Sequence, residues 1–326
     1  MRKTLLTLAA AASCLLFIVI VIGSLTIVAQ STITGEWHGS VRTDKPDRDQ
    51  PWKELMKGRV NIEFDRWRNG NNHSSIGMDF SPSELGLTDQ QVQNGNVAFR
   101  LVREAGTVDA QGTFTDGKGS GKFTFTPNLQ FVADMKSRGF DFERPSSHSI
   151  KFNKSDDGEN TVEERLLSAA LLNVTIALAD DLNSANFGKL DVDDLFKAAI
   201  FHVDSKFMAE MKNTGFPNLT FDDLVKARIF KIDADYVRQV NEMGLGIKDF
   251  EGLVKYRIFK VTPDFLAELK NAGLTNLNDE EVVKCRIFHI DGDFVRKARA
   301  TDPNATVDDM VRMKIGVSRI KVDTWQ

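Results

Sequence analysis

The chain has 326 residues, 41% of them hydrophobic and 27% charged, with a formal net charge of −4. That apolar content supports folded domains and excludes a wholly disordered chain. The acidic balance argues against nucleic acid as a partner, and two cysteines are too few for a disulfide framework.

The N-terminus reads Met1-Arg2-Lys3-Thr4 and continues as a largely apolar run from Leu5 to Ala29, the pattern of an export signal or membrane anchor. About 25 apolar residues would span a bilayer, whereas Ile27-Val28-Ala29 before Gln30 fits a signal-peptidase site. A lipid anchor at Cys14 fits less well, because Leu15-Leu16-Phe17 continues the apolar stretch. Removal of residues 1–29 takes away Arg2 and Lys3 and no acid, moving the charge from −4 to −6 and leaving Cys285 as the single thiol. The expected location is therefore periplasmic or extracellular, or membrane-anchored through residues 5–29.

Residues 30–126 alternate in short runs, such as Gly35 to Val41, Val60 to Phe64 and Val97 to Val102, as half-buried strands do. Ala105-Gly106 separates one pair. The glycine-rich stretch Asp116 to Gly121 separates Gly112-Thr113-Phe114 from Lys122 to Phe125 as a hairpin, and no helix opens after it to make a phosphate cradle. About six strands are expected, closing into a small antiparallel barrel or sandwich. Ser83 to Gln93 contains a short helical excursion.

The helical region, residues 127–316, is expected to start directly from the last strand, with Thr126-Pro127-Asn128 copying Thr262-Pro263-Asp264 as cap and first turn. A polar insertion occupies 141–160, and a tail occupies 317–326. The tetrapeptide Ile-Phe-(Lys/His)-(Val/Ile) recurs every 29 residues, at Ile200, Ile229, Ile258 and Ile287. A two-helix unit of that size cannot bury its apolar face alone, so neighbours must stack. First-helix anchors at Phe131, Leu178, Phe207, Tyr236, Phe265 and Phe294 give about six two-helix repeats. The fold class is α+β: a small β domain followed by an α-helical solenoid.

Second helices open at Asp191, Thr220, Asp249, Asn278 and Thr306, all good N-cap types. The pairs Asp193 and Lys197, Asp222 and Lys226, Glu251 and Lys255, Glu280 and Lys284, and Asp308 and Arg312 lie four residues apart, acid first. Within a helix each would contribute about 0.2–0.5 kcal/mol. Arg228, Arg257 and Arg286 recur once per repeat and would align as a ladder, either pairing with an acid or helix carboxyl end in the adjacent repeat or engaging an acidic partner protein. They are the candidate protein-binding residues.

His202 and His289 share a slot with Lys231 and Lys260, which points to a helix end rather than a metal. His38, His73 and His148 belong to no metal-ligand spacing. Asp233-Ala234-Asp235 and Asp291-Gly292-Asp293 lack the rest of a calcium loop and read as caps. Cys285 stands where Ala227 and Tyr256 stand in other copies and reads as packing. No catalytic residue, metal site or cofactor is predicted.

The stretch Gly273 to Lys284 resembles tandem repeats of exported or membrane-attached bacterial proteins, which are similar to repeats appended to antirepressor-like membrane metallopeptidases. The resemblance covers about residues 126 to 316, and Arg103 to Thr107 looks like the sheet region that accompanies such repeats. The chain lacks the HExxH zinc site and the multiple spans of the peptidase members, so no peptidase activity is carried over. The resemblance implies an extracytoplasmic sensing or interaction module. The expected function is non-enzymatic protein binding on the helical surface. Gly35-Glu36-Trp37 allows a lipocalin-like small-ligand or lipid barrel as an alternative, and a hydrolase is a more distant one.

Overall fold

The computed structural model describes residues 32–43, 57–68, 72–144, 161–216, 218–247 and 249–316. The N-terminal segment, the tail 317–326 and residues 145–160 of the polar insertion lie outside the described residues. Six antiparallel strands, β1 (Ile33–Val41), β2 (Val60–Arg68), β3 (Asn72–Phe80), β4 (Gly95–Arg103), β5 (Gly106–Thr115) and β6 (Lys118–Pro127), form one sheet in the order β3-β2-β1-β6-β5-β4. The expected barrel or sandwich is corrected: β3 and β4 are free edges of a single open sheet.

The sheet is nonetheless strongly curled. Trp37 on β1 and Phe99 on β4 lie three strands apart, about 14 Å in a flat sheet, yet their ring centroids are 5.5 Å apart. Phe64 and Phe123, two strands apart, meet edge to face at 5.1 Å. A 3₁₀ turn, Pro82–Leu85, touches both β3 and β4 and so bridges the two edges. It is followed by α1 (Asp89–Gln93), and Leu85, Leu87 and Val92 are buried there.

Two glycines make room for the central tryptophan. Gly112 and Gly121 face each other in register, and a Cβ on Gly121 would lie 2.0 Å from the Gln111 carbonyl and 2.6 Å from Trp37 Nε1. The indole N–H donates to that same Gln111 carbonyl at 3.1 Å. The hairpin turn is therefore shorter than the glycine pattern implies: Asp116 and Gly117, with φ of 50° and 73°, form it alone, and the following glycines belong to β6.

Among the described residues twelve helices follow: α2 (Leu129–Ser137), α3 (Val162–Leu171), α4 (Ile176–Ser184), α5 (Val192–Phe201), α6 (Ser205–Lys212), α7 (Phe221–Ile229), α8 (Ala234–Glu242), α9 (Phe250–Ile258), α10 (Pro263–Asn271), α11 (Asp279–Ile287), α12 (Gly292–Thr301) and α13 (Val307–Lys314). Asn128 rather than Thr126 caps α2, because Pro127 is still the last residue of β6. Helix α3 lies against β4, β5 and β6 and is buried from Glu164 to Leu171. Arg66, the next inward residue after Val60, Ile62 and Phe64 on β2, meets Glu164 there in an ion pair whose side chains are only 11% and 6% exposed.

Beyond α3, most contacts skip one helix: α2 touches α4, α4 touches α6 and α10 touches α12, while α5, α7, α9, α11 and α13 touch in series; α4 also touches its successor α5. Among the described residues no single helix is long and apolar enough to cross a membrane; α3 and α4 together are, but they meet at 86°.

The recurring tetrapeptide now has a physical reading. Its second pair closes each second helix: Asn173, His202, Lys231, Lys260 and His289 all adopt left-handed backbone, with φ of 53°, 55°, 53°, 53° and 51°. The next residue, such as Ile232 or Ile290, returns its N–H to the helix, to Ala227 O and Cys285 O at 2.8 Å, and is buried. Cationic side chains in that slot suit the negative helix end, as the sequence implied.

Candidate interaction surface

Arg228, Arg257 and Arg286 are the penultimate residues of α7, α9 and α11. Each guanidinium lies over the anchor ring of its own first helix: Arg228 is 3.8 Å from the Phe207 centroid, Arg257 4.1 Å from Tyr236 and Arg286 3.7 Å from Phe265. Lys314 continues the series over Phe294 at 4.2 Å. Such stacking is worth about 0.5–1 kcal/mol at exposed sites and more where desolvated.

Sequence reasoning missed the rings, although the signal was present. The aromatic precedes the arginine by 21 residues in each copy, and where Leu178 replaces the ring, Ala199 replaces the arginine. The guanidinium edges bond locally too. Arg228 Nη2 is 3.8 Å from Asp204, and Arg257 Nε donates to Phe230 O at 2.9 Å while its Nη2 donates to Lys231 O, at the carboxyl end of α7. One face of each of the three guanidinium groups is thus held from inside by an aromatic ring.

The pairs expected within the second helices form differently. Lys197 reaches forward to Asp222 at 2.7 Å, Lys226 to Glu251, and Lys284 to Asp308 at 2.9 Å. Each cation therefore bridges to the acid of the next second helix, because stacked helices bring that carboxylate closer than the one four residues back. Within its own helix Lys197 instead approaches Asp194, and Lys226 approaches Asp223. The bond to Asp222 holds the Lys197 ammonium above its usual range against the opposing cost of burial, and the bonds to Glu251 and Asp308 raise Lys226 and Lys284.

First helices are tied by a different device. Carboxylates of a preceding element accept from the first amide of the next helix: Glu104 from Ile176 at 2.6 Å, Asp181 from Ser205 at 2.8 Å and Glu268 from Gly292 at 2.8 Å. Gln239 holds the equivalent place before α10, where the first residue is Pro263 and has no N–H to give. Glu210 instead lies 3.9 Å from Lys206. The N-caps expected at Asp191, Thr220, Asp249, Asn278 and Thr306 all accept from the third helical amide, as do Asp233 and Asp291.

These junctions leave an outer face on α7, α9 and α11 that repeats acid, lysine, isoleucine. The isoleucine of the motif is the surprise. Ile229, Ile258 and Ile287 are 50%, 50% and 44% exposed, although they sit in the most regular feature of the sequence. Hydrophobicity alone would place them inside.

Other candidate chemistry resolves as structure. Burial lifts the Cys285 thiol to about 12, far from a reactive thiolate. His38 Nδ1 is 2.8 Å from Asp65 on the polar side of the sheet; the side chain of His73 and all of His148 lie outside the described residues. No group of three or more potential metal ligands occurs among the described residues. Trp37, Phe99, Phe114 and Phe123 are buried on the inward side of the sheet, where a lipocalin-like ligand would have to sit. No protein-family model matches the chain, and no curated protein does.

Proposed function

We propose that the chain is a non-enzymatic extracytoplasmic binding scaffold, exported or anchored through residues 1–29, whose paired helices act as a solenoid of six two-helix repeats. Its outer face engages a protein partner, in envelope sensing as the resemblance to exported bacterial repeats implies. The observation that carries this reading is the repeated junction. Lys197, Lys226 and Lys284 each bond to the next unit's acid, so charge is neutralised across three of the four joins between second helices, the α9–α11 join at Lys255 having no such ion pair among the described residues. A surface of that kind grows with repeat number and offers the same contacts to each successive stretch of a partner.

Cross-linking in the native envelope, followed by affinity purification and mapping of the linked residues, tests it. The expected result is one protein partner linked to residues of α7, α9 and α11. Links confined to the sheet domain, or recovery of a tightly held lipid or metabolite in place of a protein, would overturn it.

A further inference from the structure

We propose that the row formed by Ile229, Ile258 and Ile287 is the docking stripe for an extended segment of a partner protein, carrying an apolar residue at every third position and carboxylates between. The inference rests on the scaffold reading above and names the chemistry of the partner.

The row is not required by the fold. Each isoleucine is the last residue of its helix, and its side chain is about half exposed, whereas the neighbouring Phe230, Phe259 and Phe288 pack against the core. Because α7, α9 and α11 touch in series and each isoleucine is the last residue of its helix, the row places one exposed isoleucine at the same end of three neighbouring helices. A single exposed isoleucine is unremarkable, but apolar groups aligned in the same slot of three successive units form a patch of the kind that marks interaction sites.

Spacing and charge select the occupant. Packed helices lie about 8–10 Å apart. Three residues of extended or polyproline-type chain advance about 9–10 Å, and the latter returns every third side chain to the same side. The row is one residue wide, which suits an extended segment better than a helix, whose apolar stripe needs two residues of width. On its carboxyl-terminal border stand Lys231 and Lys260, exposed, left-handed in backbone and with no ion pair among the described residues. On the other border Lys226 and Lys284 are bonded to acids, while Lys255 between them is exposed and has no ion pair among the described residues. Asp233 and Asp291 nearby are engaged as helix caps, which leaves Lys231, Lys255 and Lys260 as the lysines beside the row without ion pairs among the described residues, so the complementary segment is acidic.

The test uses the full-length chain in mild detergent and fluorescently labelled peptides read by anisotropy. The probes are four copies of Ile-Pro-Glu, the same peptide with Lys for Glu, and three copies of Ile-Pro-Gly-Glu, whose period is four. The expected result is saturable binding of the first peptide, at least tenfold tighter than the other two. Binding should fall at least tenfold both in the combined Ile229→Ser, Ile258→Ser, Ile287→Ser variant and in the Lys231→Glu, Lys260→Glu variant, with thermal melts unchanged. The lysine variant keeps the test decisive if the serine variant melts early.

Absent binding, or binding unaffected by both variants, overturns the proposal. So does preferential occupation of the stripe by an acidic amphipathic helix or by phosphatidylserine vesicles. The two readings fail separately: if the native partner still cross-links to the stack of the serine variant, the scaffold stands and the stripe falls. If the wild-type stack links to no protein, the scaffold itself falls.

Discussion

Tyr256 makes an unusual stability prediction. It is 1% exposed in α9, its hydroxyl is buried with no hydrogen-bond partner among the described residues, and Ala198, Ala227 and Cys285 fill its slot in other copies. A buried hydroxyl without a partner costs about 1–3 kcal/mol. Tyr256→Phe removes that oxygen while keeping the ring, so it should stabilise the protein by about 1–2 kcal/mol. Urea titration should show a higher midpoint with an unchanged slope.

Alkaline pH gives an independent signature. Burial pushes the Tyr256 phenol well above its usual value of 10.0, so above pH 10 the unfolded chain releases this proton and the folded chain keeps it. The unfolded state then binds fewer protons, and stability falls by up to about 1.4 kcal/mol per pH unit. Cys285, raised to about 12, adds a similar fall that begins near its ordinary value of 9.0. The advantage of Tyr256→Phe should therefore widen between pH 10 and 11. A variant less stable than the parent, or an advantage constant with pH, would refute the reasoning and assign the hydroxyl a bonding partner.

Three further outcomes follow from other junctions. Gly121→Ala should destabilise by about 2–3 kcal/mol by overpacking, because its Cβ strikes the Gln111 carbonyl and Trp37; urea melts and near-ultraviolet circular dichroism would register it. Glu164→Gln or Arg66→Met alone should cost about 3–5 kcal/mol, while Arg66→Met with Glu164→Leu should cost far less, as a double-mutant cycle would reveal. Glu268→Ala should lose about 1 kcal/mol with the Gly292 cap, whereas Gln239→Glu should gain nothing because Pro263 offers no amide; equal effects in thermal melts would contradict the capping account.

What could be read from the sequence divides along the range of the forces involved. Cap chemistry is local, so Thr220, Asp249 and Asn278 announced their helices, and the left-handed slot of Lys231 and Lys260 showed itself as a polar helix end. Strand alternation was equally local, and in the runs read as strands the structure buries Trp37, Phe64 and Phe99. The curl of the open sheet was not, because it depends on Gly112 and Gly121 meeting the Trp37 ring and on Pro82–Leu85 spanning the two edges. The direct partners of the second-helix lysines were missed for the same reason: Asp222 and Asp308 come within reach of Lys197 and Lys284 only once the helices stack, while the expected acids Asp222 and Glu280 still act on Lys226 and Lys284 through their charge alone. The arginine ladder was visible as a period, but its aromatic partners required comparing two helices across a unit. Exposure of Ile229, Ile258 and Ile287 was hidden by their own hydrophobicity.

The central claim is that the stacked second helices form the binding surface. A photo-crosslinking amino acid placed singly at Ile229, Ile258 and Ile287, and for comparison at Thr34 and Lys122 on the polar side of the sheet, tests it in intact cells. The account predicts one shared protein adduct from the three helical positions and none of that mass from the two sheet positions; adducts from the sheet positions alone would contradict it.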